Sequence, residues 1–200
     1  RLRGGVESSA AAIDDDLIAG WSTTDVPGRR PVAWRTNGEI IDLIDEPIES
    51  GGFFVRGDGQ ATAVKNGLVV GYRRIASPLE ESRAFGWREE QGLIDLGLVP
   101  GSNESFAFDT DGEFVVGQLS GVGGPTGTTA RAFVWTEERG MKAITPSSIT
   151  ASATHVVDGQ VLGIYRTPET NGTRVFLWTM QKGLVDVIPR GFPGGFAPVG

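Results

Sequence analysis

The chain has no cysteine, a single histidine and no run near the roughly 20 apolar residues of a membrane span. The first absence removes disulfides, thiol nucleophiles and thiolate metal sites together. The second leaves His155 alone, so neither a multi-histidine metal centre nor a histidine-paired nucleophile has its parts. Beside Val156-Val157, it reads as a structural or exposed residue. Net positive charge is lacking as well: the balance is −7, which repels nucleic acid and anionic membranes. No segment sustains a 3.6-residue apolar period with caps, so little helix is expected. The chain opens at Arg1 rather than methionine, which reads as a processed product or an excised piece whose signal peptide, if any, is gone.

What is present is repetition. Thirty glycines punctuate four similar segments. One stretch reads Leu17-Ile18-Ala19-Gly20, Leu68-Val69-Val70-Gly71, Phe114-Val115-Val116-Gly117 and Gln160-Val161-Leu162-Gly163, its glycines 51, 46 and 46 residues apart. A second ends in tryptophan four residues after an arginine: Arg30 to Trp34, Arg83 to Trp87, Arg131 to Trp135 and Arg174 to Trp178. Gly38, Gly92, Gly140 and Gly183 follow, each leading into a short apolar run.

Each unit reads as four short strands. The first carries alternate alanines, and Asn66-Gly67, Asp111-Gly112 or Asp158-Gly159 turns it into the second. Four antiparallel strands in about 46 residues match the size of a β-propeller blade. The expected fold is therefore all-β, a single repeat domain over 1–200 with units near 8–50, 58–100, 105–147 and 151–189. Residues 190–200 read as the lead-in to a further unit or a tail. Three arrangements stay open: a closed four-blade ring, part of a larger ring, or two chains pairing into eight blades.

The Asn/Asp-Gly turn, Val-Val-Gly, Arg-Ala-Phe-x-Trp at Arg83–Trp87 and Arg131–Trp135, and the Asp-Leu at Asp42-Leu43 and Asp95-Leu96 resemble the bacterial extracellular repeats of the HAF type. Those are named for a His-Ala-Phe stretch; arginine stands at the histidine position here. The resemblance spans about Ser8 to Pro189 and implies a propeller-like fold and an extracellular or periplasmic location. It implies no defined reaction, so it supplies no catalytic residue.

Several constellations admit a sharper chemistry. In a closed ring, Arg30, Arg83, Arg131 and Arg174 would form a circle of positive charge for an acidic ligand; the plainer expectation is pairing within or between blades. Asp42, Asp95 and Asp186, each eight residues after the repeat tryptophan, invite a glycosidase pair but fit better as acceptors for buried indole N–H groups. Asp109-Thr110-Asp111-Gly112-Glu113 opens like a calcium loop, yet its twelfth position is Ser120 rather than glutamate, so turn chemistry is expected. Asn103-Glu104-Ser105 and Asn171-Gly172-Thr173 match glycosylation acceptors.

The candidate binding residues are Trp21, Tyr72, Arg73, Tyr165 and Arg166. They follow the repeat glycines and precede variable connections holding Pro27, Pro78, Pro125 and Pro168. Aromatics and arginines on equivalent loops of a rigid frame are expected to share a displayed face. The functional expectation is a non-catalytic, exported recognition or assembly module, with no cofactor and no metal, that meets a protein or glycan partner or forms a homo-oligomer. A carbohydrate-binding or glycan-cleaving propeller is the alternative.

Overall fold

The computed structural model describes residues 1–25, 28–44, 59–75, 81–124, 127–167 and 172–187. Among them there are sixteen strands and no helix. The first sheet is β1 (Ser8–Asp14), β2 (Leu17–Thr23), β3 (Arg29–Arg35) and β4 (Ile40–Asp42). The second is β5 (Gly59–Lys65), β6 (Leu68–Arg74), β7 (Ser82–Arg88) and β8 (Gly92–Asp95). The third is β9 (Glu104–Thr110), β10 (Val115–Gly124), β11 (Gly127–Thr136) and β12 (Gly140–Ala143). The fourth is β13 (Thr150–Val157), β14 (Gln160–Arg166), β15 (Arg174–Thr179) and β16 (Gly183–Asp186). Each is an antiparallel meander in chain order, the blade of a β-propeller. The four proline-bearing connections and the lead-in at 190–200 fall on residues outside the described ones.

Local chemistry explains the hairpins. Asn66-Gly67 and Asp158-Gly159 both hold positive φ at successive residues, the geometry of a tight two-residue turn. In the third unit only Gly112 does so, and Asp111 Oδ1 accepts from the N–H groups of Glu113 and Phe114 instead. The glycine after each tryptophan also has positive φ, from 64° to 95°.

The repeat glycine has a different reason. Opposite it stands an alanine in every unit: Ala10 with Gly20, Ala61 with Gly71, Ala107 with Gly117, Ala153 with Gly163. Just past that alanine all four first strands carry a β-bulge. In the first three units the preceding residue's carbonyl (Ser9, Gln60 or Phe106) occupies the place a Cβ would need; in the fourth the Phe176 ring fills it.

Period two divides each sheet into two faces. A rear face carries the repeat glycine, the arginine and the tryptophan; a forward face carries the residues between. Each rear face packs on the forward face of the sheet before it. Val69, Phe85 and Trp87 meet Leu17, Ala19 and Ala33. Val115, Phe133 and Trp135 meet Val70 and Ala84. Val161 and Phe176 meet Val116, Ala132 and Val134.

Equivalent burial of all four tryptophans, the expectation from the repeat, holds for two. Trp87 and Trp135 are buried; Trp34 and Trp178 are half-buried. Trp34 lies on the rear of the first sheet, where no described sheet precedes it, and Trp178 borders a groove described below. Closure into a ring is not observed among the described residues: β1 and the forward face of the fourth sheet are both exposed.

Candidate functional site

The expected joint display of Trp21, Tyr72 and Tyr165 is not found, and register is the reason. Trp21 and Tyr72 follow their repeat glycine by one residue and lie on forward faces, whereas Tyr165 follows by two and lies on a rear face. Tyr72 packs edge-on against Phe106 of the next sheet, with ring centroids 5.1 Å apart. The Arg29 guanidinium covers Trp21 at 4.3 Å from its ring. Tyr165 is only 1% exposed and lies beside Arg174 and Asp186. Burial above all, and then the neighbouring carboxylate, raises its phenol above the ordinary value of 10.0. Arg73 is half-buried, and exposed Arg166 donates to the Thr173 hydroxyl at 2.9 Å.

The arginine series is engaged within the scaffold. Arg30 pairs with Asp42 at 2.9 Å and donates to the Ile44 carbonyl; Arg131 donates to Thr145 O, the equivalent place in its own unit. Arg83 donates to Asn103 O at 2.6 Å and pairs with Glu81, and Arg174 lies 3.8 Å from Asp186. The aspartates serve these arginines and their own turns: Asp95 accepts from Gly97 N–H. The indole N–H groups are not their partners here.

The acidic run on the third unit stitches sheets together. Asp109 Oδ2 accepts from Val156 N–H and Asp111 Oδ2 from Gly159 N–H, both on the next hairpin. Asp14 does the same between the first and second sheets, accepting from Lys65 Nζ at 2.6 Å and from Asn66 N–H at 2.7 Å. These contacts hold its carboxyl below the ordinary carboxylate range. Among the described residues no group of three or more His, Asp or Glu side chains is arranged to hold a metal.

Two features went unread in the sequence. The forward face of the fourth sheet presents Leu162, Ile164, Val175, Leu177, Val185 and Val187, each between 37% and 45% exposed. They form two cross-strand rows, Leu162–Leu177–Val185 and Ile164–Val175–Val187. Their signal was size: the fourth unit puts Leu177 and Val175 where the second has Gly86 and Ala84. The other feature is a mainly apolar groove of about 560 Å³ between the third and fourth sheets, bordered by Lys142, Ile144, Pro146, Trp178 and Leu184.

No protein-family profile matches the chain, and no curated protein does. Among solved structures it is similar to an arginine-to-alanine triple mutant of AofleA from Arthrobotrys oligospora, at 13% identity over 90% of this chain and 67% of that one, with a TM-score of 0.41. It is also similar to a glycosyl hydrolase from Bacteroides ovatus, at 10% identity over 90% of this chain and 66% of that one, with a TM-score of 0.35. The chain thus spans about two thirds of the length of each. Neither likeness transfers a ligand or a reaction. No helix among the described residues is long and apolar enough to cross a membrane.

Proposed function

We propose that this chain is a non-catalytic, exported recognition or assembly module whose working surface is the forward face of the fourth sheet. The carrying observation is the pair of exposed apolar rows on that face, because the equivalent positions Val116, Ala132 and Val134 are buried one sheet earlier. Contiguous exposed apolar surface of this kind marks an interaction site. The repeat aspartates and arginines support the non-catalytic part, since they are occupied by pairing and turn contacts. The test is the native mass of the protein drawn from cells that make it, as wild type and as Leu177→Lys. The wild type is expected above the mass of its own denatured polypeptide, and the variant at that mass with an unchanged far-ultraviolet circular dichroism spectrum. A wild type that runs at the mass of its own polypeptide overturns the reading.

The half-buried Trp178 supports a second reading, a glycan seated in the groove beside Lys142. Titration with acidic and neutral oligosaccharides, followed by tryptophan emission, tests it. A response lost in Trp178→Phe supports it, and an unchanged spectrum throughout removes it.

A further inference from the structure

Among the described residues, the rear face of the first sheet and the forward face of the fourth have no sheet against them. At the forward end stand the rows on β14 to β16. At the rear end, Ala10 is exposed while its equivalents Ala61, Ala107 and Ala153 are each 0% exposed. Ile13 is 64% exposed, whereas Val64, Thr110 and Val156 at the same register position range from 3% to 6%. Ile18 and Trp34 are half-exposed, whereas Val69, Val115 and Val161 are buried completely. What buries those equivalents is in each case the forward face of the preceding sheet.

We propose that a second copy of this chain docks head to tail, its first sheet on the fourth sheet of its neighbour. The contact repeats the three interfaces already built inside the chain: the same small alanine, the same position past the bulge (Val64, Thr110 or Val156) and the same tryptophan face seat on the forward face before them. Because the two surfaces are different, the interface is heterologous and either closes a ring of copies or extends as a filament. The proposal rests on the assembly reading above and names its partner.

The experiment uses no other protein: the mass of the purified chain is read by light scattering across concentration, for wild type, Leu177→Lys and Ile13→Lys. Both substitutions sit at exposed positions, so melting temperatures equal to that of the wild type at a dilution where it is a single chain serve as the folding control; Val175→Lys and Ala10→Lys replace either variant that fails it. The wild type is expected to rise to multiples of 21.2 kDa, and each variant alone to stay at that single mass. An equal mixture of the two is expected to form pairs and stop, because one intact end of each kind remains. A monomeric wild type at every concentration overturns the proposal, and so does a mixture that stays monomeric. Association of Ile13→Lys alone, through two fourth sheets face to face, overturns head-to-tail docking while leaving the assembly reading in place. A native complex with a different protein, combined with a monomeric purified chain, has the same consequence.

Discussion

At the scale of single residues, the four repeat glycines and the buried tyrosine decide more than the charged series. Gly71 has the Gln60 carbonyl where a Cβ would go, so Gly71→Ala must push the first strand off the second. Overpacking of this kind costs about 1–3 kcal/mol. Gly92 instead has positive φ and open space around it, so Gly92→Ala is expected to cost only about 1–2 kcal/mol, from backbone strain. Urea titration of the two variants compares them. Tyr165 gives a pH signature. Its phenol titrates higher in the folded protein than in the unfolded chain, so the unfolded state loses its proton first as pH rises past 10.0. Its contribution is whole below that value and lost as pH climbs through the folded one. The expected result is a fall in melting temperature above that pH that is shallower in Tyr165→Phe.

At the scale of elements, identical sequence positions differ in energy according to the sheet they occupy. Trp135 is buried between the second and third sheets, so Trp135→Ala is expected to cost about 3–5 kcal/mol. Trp34 holds the same register position but is half-exposed, so Trp34→Ala is expected to cost clearly less in thermal melts of the isolated chain. The hairpin tips are the second kind of element contact. Asp14 is depressed by Lys65 foremost, so it favours the folded state above its unfolded value and loses that contribution as pH falls through the folded one. The stitch is solvent-facing, and it aligns neighbouring sheets more than it stabilises them.

At the scale of the whole molecule, stability is a chain of nearest-neighbour interfaces, as in other repeat proteins. The second and third sheets are covered on both faces, while among the described residues the first and fourth each lack one neighbour. Hydrogen exchange is therefore expected to be slowest in β6, β7, β10 and β11 and fastest in β1 and β16. Uniform protection across all four sheets would contradict this picture. Protection of β1 and β14 that grows with protein concentration is the expected mark of head-to-tail docking.

The sequence by itself determined the unit: four strands, the Asn-Gly and Asp-Gly turns, the tryptophan register and the repeat count are all local patterns that every segment restates. It also pointed to a structural role for the arginines, since a residue in every unit serves the unit. The face each aromatic joins was also written there, since Tyr72 follows its repeat glycine by one residue and Tyr165 by two, and a period of two sends those to opposite faces. Tertiary structure alone decided what covers each face: Phe106 of the next sheet meets Tyr72, and Tyr165 is buried beside Arg174 and Asp186. It alone also decided that, among the described residues, the fourth sheet does not meet the first, because that depends on how each sheet is turned against its neighbour, and no single repeat contains that information.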